Sequence, residues 1–237
     1  MDTRTLLTRR PIAHRGLHDG NIRRFENSLS AFEEAVAGDY AIELDVHLSA
    51  DGDVIVFHDE TLDRLTAQTG PLAKRMAADL RQTRLGGTAD RIPTLAETLE
   101  RVAGRVPVVI EMKGSGARKP ELAQAVAKDL AGYGGPVAVM SFDHELIAAF
   151  RATGSPVPCG LTAEGIGENA LARHRKALAL GIDFVSYHVA ALPNAFVTHV
   201  RDERGLPVIT WTVRTPEDVE TTYRHADQMT FEGFEPD

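Results

Sequence analysis

One cysteine, Cys159, serves a chain of 237 residues, so no intrachain disulfide can form and no thiolate metal cluster can be assembled. This scarcity agrees with a reducing cytoplasm, and Cys159 reads as a packing residue. Long apolar runs are also absent: the hydrophobic stretches are strand-sized, far short of the roughly 20 residues that cross a bilayer. The first residues, MDTRTLLTRRP, hold only Leu6-Leu7 between charges, which is too little for a signal peptide. A soluble, cytoplasmic protein without stable membrane insertion is expected. Positive charge is thinly spread. With a net charge of −8 and no Lys/Arg stripe, long nucleic acids and anionic membranes are poor partners, and a small-molecule substrate is favoured. No internal repeat or low-complexity tract occurs, and nothing reports on oligomeric state.

What is present is 43% hydrophobic residues, enough for one large core, and hence one domain over 1–237. Short β-branched or apolar runs at 11–15, 40–46, 106–112, 137–142, 157–161, 184–188, 207–213 and 228–231 predict eight strands. Segments of helical period lie between them at 28–37, 95–102, 121–130, 143–152, 169–180, 193–203 and 216–223. Thr94 with Glu97 resembles a capping box, Pro216 suits a first helical turn, and Gly38, Gly132 and Gly181 sit where helices stop. The alternation predicts an α/β fold, a (β/α)₈ barrel. Two segments interrupt it. Asp51-Gly52 followed by the strand-like run 54–57 predicts a hairpin after strand two, and the polar stretch 60–91 is too long for an ordinary connection and reads as an insertion capping the mouth. Only Glu232–Asp237 follow strand eight, so residues 2–9 are left to cover an open side of the barrel.

Barrel enzymes carry their chemistry at the C-terminal ends of strands. Strand one ends in His14 and Arg15, strand two in Glu43 and Asp45, and strand three in Glu111 and Lys113. Residues two apart on a strand share a face, so each acidic pair projects together. A two-residue turn at Asp51-Gly52 would set Ala50 opposite Asp53 and Asp45 opposite His58, bringing that histidine to the same face. Three carboxylates without cysteine make a hard oxygen site suited to Mg²⁺ or Ca²⁺, and histidines beside it suit acid and base roles. Trp211 and Phe142, both at strand ends, could form an apolar wall, and His188 ends strand six. His144, His174, His199 and His225 fall on helix candidates and read as surface residues, as do the charges of 60–91, whereas His18 and His47 lie nearer the mouth.

The motifs IAHRG, ENS (Glu26-Asn27-Ser28), ELDVHLSADGDVIVFHDETLDRLT, IPTLAETL, VVIEMK, MSFD and WTV resemble, in order and spacing, those of the glycerophosphodiester phosphodiesterases over residues 11–236. That resemblance implies a barrel with a small insertion after strand two, a divalent cation (Mg²⁺ or Ca²⁺) on Glu43, Asp45 and Glu111, and His14 with His58 as the acid/base pair. It implies hydrolysis of a small glycerophosphodiester to sn-glycerol 3-phosphate and an alcohol, with Arg15 and Lys113 offsetting phosphoryl charge. The chain departs from the pattern at Arg214, where asparagine is common, at Glu232, where aspartate is common, and at Phe25, where proline is frequent. Two other readings share the acidic centre: a metal-dependent barrel aldolase, for which a divalent cation on Glu and Asp is equally natural, and a lysophospholipase D-type phosphodiesterase. Lys113 itself reads as a partner of Glu111 rather than as a Schiff-base lysine. A catalytically idle barrel is disfavoured by the intact histidines and carboxylates.

Overall fold

The computed structural model describes residues 2–114 and 116–236. The strands in chain order are β1 (Ile12–Ala13), β2 (Ala41–Leu48), β3 (Val54–Val56), β4 (Val108–Met112), β5 (Val137–Ser141), β6 (Cys159–Ala163), β7 (Val185–His188), β8 (Val208–Val213) and β9 (Gln228–Phe231). All but β3 are parallel neighbours in the order β1-β2-β4-β5-β6-β7-β8-β9, and β9 returns to pair with β1, closing the barrel. The helices are α1 (Thr3–Thr8), α2 (Leu29–Ala37), α3 (Ala77–Leu80), α4 (Leu95–Val102), α5 (Lys119–Leu130), α6 (His144–Ala152), α7 (Glu168–Ala177), α8 (Ala195–Thr198) and α9 (Pro216–His225). This is the (β/α)₈ barrel that the alternation predicts. Thr94 and Glu97 form the expected capping box on α4, and Thr215 with Asp218 forms a second one on α9. Among the described residues, no helix is long and apolar enough to cross a membrane.

Strand one is shorter than its apolar run. Arg15 and Gly16 take left-handed backbone angles (φ 55° and 79°) that turn the chain out of the sheet, and a Cβ on Gly16 would come within 3.0 Å of Phe32 and Ala31. The segment 193–203 divides into α8 and a π-helical turn, His199–Glu203. Helix α1 closes the base of the barrel: Leu6 and Leu7 pack among the inward-facing Ile12, Ala41, Val109, Ala138, Met140, Phe184 and Ile209. Gln228 Nε2 donates to the Thr8 carbonyl at 3.0 Å and pins its end.

The hairpin differs from expectation by one residue. β2 and β3 pair as Val46 with Val56, His47 with Ile55 and Leu48 with Val54, so Asp45 lies across from Phe57, whose N–H donates to the Asp45 carbonyl at 3.0 Å. The cause is the turn. A two-residue type I′ turn needs two left-handed residues, whereas only Gly52 is left-handed here (φ 94°). Ser49 and Asp53 instead close a three-residue loop, with Ser49 Oγ accepting from Asp53 N at 2.9 Å and Asp51 Oδ1 accepting from Ser49 Oγ and Ala77 N. Ile55 and Phe57 then face away from the main helix layer. They build a satellite core with Phe25, Leu62, Leu65, Leu72, Ala77, Leu80, Leu85 and Ile92, which gives residues 60–91 an apolar anchor against the rim.

Candidate active site

The two-residue period of the strands places the site. Inside the barrel the base layer holds Ile12, Ala41, Val109, Met140, Phe184 and Ile209. Two residues on, the same faces present His14, Glu43, Glu111, Phe142, Ser186 and Trp211, and four residues on come Asp45, Lys113 and His188. Apolar packing thus gives way to chemistry within one step along the chain.

Glu43, Asp45 and Glu111 are 2%, 1% and 6% exposed, and they offer oxygens all within 4.8 Å of one another. Burial and mutual repulsion raise the proton affinity of Glu43 well above normal and push Glu111 up to about 7. Asp45 is held below the usual range despite its burial, because Lys113, Arg15 and His58 surround it with positive charge. Lys113 Nζ reaches Glu111 Oε1 at 2.6 Å and Asp45 Oδ1 at 3.2 Å, and Arg15 Nε lies 3.3 Å from Asp45 Oδ2. Two cations therefore face three buried carboxylates. The surplus negative charge and the all-oxygen donor set fit a hard divalent cation.

The loop after β1 serves the cluster through its backbone. Arg15 N–H donates to Glu43 Oε2 at 3.0 Å, and Asn27, itself left-handed (φ 54°), donates from Nδ2 to Asp45 Oδ2 at 2.9 Å while its Oδ1 accepts from Asp45 N at 3.2 Å. Asn27 is thereby a positioning residue for a carboxylate.

His14 and His58 both feel the charge of Asp45, and burial draws both below the ordinary histidine value. His58 arrives despite the shifted register because the chain leaves the strand after Val56, and His47 Nε2 lies 2.9 Å from the His58 carbonyl. Each histidine has a carboxylate at Nδ1: Glu232 at 2.5 Å from His14, and Asp59 at 2.7 Å from His58. Arg64 grips Asp59 at 2.7 and 2.9 Å and the buried Glu26 at 2.7 and 2.8 Å, and Glu26 also receives Arg15 at 2.7 Å. Asp59, Arg64 and Glu26 were not singled out as site residues from sequence. Arg64 was read as part of a solvated face; the signal that could have found it is DETLDR, which sets an arginine five residues after Asp59.

Phe142 and Trp211 meet edge to face at 5.3 Å, and His188 packs on the same indole at 4.9 Å. Phe142 stays 42% exposed, leaving an aromatic wall open to the mouth. His174 is not the surface residue expected: it is buried between Tyr187 and Phe196, and burial draws it down to about 4. Cys159 is fully buried, with its thiol pushed up to about 12, which makes it inert.

Fold and site define a barrel enzyme with a buried acidic centre at the C-terminal ends of its strands. The sequence profile of the glycerophosphoryl diester phosphodiesterase family matches residues 14–231. A glycerophosphodiester phosphodiesterase of Caldanaerobacter subterraneus subsp. tengcongensis is 28% identical over 221 residues, 88% of this chain and 87% of that protein. Among solved structures, a phosphodiesterase of Oleispira antarctica in complex with the product sn-glycerol-3-phosphate superposes with a TM-score of 0.82 at 24% identity, covering 93% of this chain and 91% of that one. A glycerophosphodiester phosphodiesterase from Thermotoga maritima gives 0.73 at 26% identity, covering 93% and 92%. The chain belongs to the glycerophosphoryl diester phosphodiesterase family and is a hydrolase.

Proposed function

We propose that the chain, as one domain over 1–237, hydrolyses small glycerophosphodiesters to sn-glycerol 3-phosphate and an alcohol. One observation carries this reading: two histidines, each with a carboxylate at Nδ1, flank three buried carboxylates at a barrel mouth. Glu43, Asp45 and Glu111 would hold Mg²⁺ or Ca²⁺, which supplies Lewis-acid polarisation of the phosphate when bound. Arg15 and Lys113 draw the phosphodiester into the centre and offset charge that builds on its oxygens. His14 and His58 divide the proton transfers, one taking the proton of the attacking oxygen, of water or of the glycerol 2-hydroxyl with water then opening the cyclic phosphate, and the other giving one to the departing alkoxide.

The paired histidines argue against the metal-dependent aldolase reading, which gives them no role, and Lys113, held charged between Glu111 and Asp45 and well above the usual lysine range, argues against a Schiff-base lysine. The open Phe142–Trp211 wall supports a substrate with an apolar chain on its glycerol as a second class, a lysophospholipid cleaved to a lysophosphatidic acid and an alcohol. An enzyme-coupled assay for glycerol 3-phosphate over glycerophosphocholine, glycerophosphoethanolamine and glycerophosphoinositol tests the first, and a choline assay on lysophosphatidylcholine, whose cleavage leaves a lysophosphatidic acid, tests the second. We expect release from at least one glycerophosphodiester, and silence on the whole panel would overturn the assignment.

A further inference from the structure

The two site histidines stand at the ends of two parallel constructions, His58–Asp59–Arg64 and His14–Glu232–Arg214. The first is tightly anchored, since Asp59 precedes Arg64 by only five residues and Arg64 also grips the buried Glu26. The second is assembled from three separate strand ends. Glu232 follows β9, and its Oε2 alone meets both His14 Nδ1 at 2.5 Å and Arg214 Nη2 at 3.0 Å, while Arg214 follows β8 with its side chain half exposed.

The geometry points to Glu232 and Arg214 as a coupled positioning pair for His14. Glu232 accepts the Nδ1 proton and so leaves Nε2 as the nitrogen for proton transfer, and Arg214 sets how much of the Glu232 charge reaches the ring. This inference rests on the reading of His14 as a proton-transfer group. The charged groups facing His14 are Glu232, Arg15 beside it and Asp45 on β2; Glu232 in turn faces His14, His18 and Arg214. The Glu232 carboxylate raises the proton affinity of His14 against the effect of burial. Removing that charge lowers the pH at which His14 titrates. Removing Arg214 leaves the carboxylate less neutralised, so His14 titrates at higher pH.

The test is ¹⁵N–¹H NMR titration of the His14 ring in Mg²⁺-saturated protein, run beside kcat–pH profiles on the same samples. In wild type, neutral His14 carries its proton on Nδ1. Glu232→Gln moves the His14 titration to lower pH and lowers kcat by roughly 10²-fold, the low end of what one proton-transfer group contributes. Arg214→Ala moves the titration to higher pH, and Glu232→Asp keeps the Nδ1–H tautomer and recovers most of the lost rate. A merely structural pair would not give opposite shifts. Shifts of the same sign in Glu232→Gln and Arg214→Ala, or no shift in either, overturn the inference. Opposite shifts with an unchanged kcat in Glu232→Gln would uphold the pair and overturn the proton-transfer role of His14, so the two readings fail separately.

Discussion

Glu43 and Glu111 gain proton affinity from burial beside Asp45, whereas Glu26, equally buried, is held far below the carboxylate range. The difference lies in partners. Glu26 receives two guanidinium groups, Arg15 and Arg64, and Asn21, while among the described residues the three site carboxylates share the cations Lys113 and Arg15 and the Asn27 amide on Asp45. Because its folded proton affinity is depressed, Glu26 contributes stability that is present above its unfolded value, about 4.3, and lost as pH falls below it. Chemical denaturation of Glu26→Gln should show less stability than wild type at pH 7 and a gap that narrows towards pH 3; a gap that widens on acidification contradicts this. His14→Ala and His58→Ala should each lower kcat by about 10²–10⁴-fold with unchanged circular dichroism. Near-normal turnover in either would remove that histidine from the chemistry. Glu43, Asp45, Glu111 and Lys113 were legible in the sequence because strand parity alone brings them to one face. Glu26, Asp59 and Arg64 were not, since an arginine reaching back 38 residues depends on the path of the insertion, which no periodicity encodes.

The elements follow their sequence signals where a local rule governs them. Ser28, Thr94 and Thr215 cap the helices they precede, and the apolar runs form the eight barrel strands. The hairpin departs because Asp51-Gly52 offers one left-handed residue where two are needed, and side-chain bonds from Ser49 and Asp51 stabilise the longer loop. Helix α1 was placed by need rather than by pattern, as six residues with two leucines carry almost no periodic signal. Its role is energetic. Leu7 is fully buried in the base layer, so Leu7→Ala should cost about 2–5 kcal/mol in chemical denaturation. A loss below about 1 kcal/mol would mean that α1 is dispensable to the barrel.

Over the whole molecule, stability and chemistry occupy opposite ends of one barrel. The base is sealed by α1 and apolar side chains, and the mouth carries the carboxylates, both histidines and the aromatic wall, with the insertion anchored at its rim. As proposed, the three-carboxylate centre works as a cation site in glycerophosphodiester hydrolysis. The most direct measurement is the initial rate of glycerol 3-phosphate release from glycerophosphocholine, or from the best substrate of the panel, before EDTA treatment, after it, and after adding back Mg²⁺ or Ca²⁺. Release should be lost with EDTA and recovered with one of the two cations. Release that continues undiminished in EDTA would contradict it.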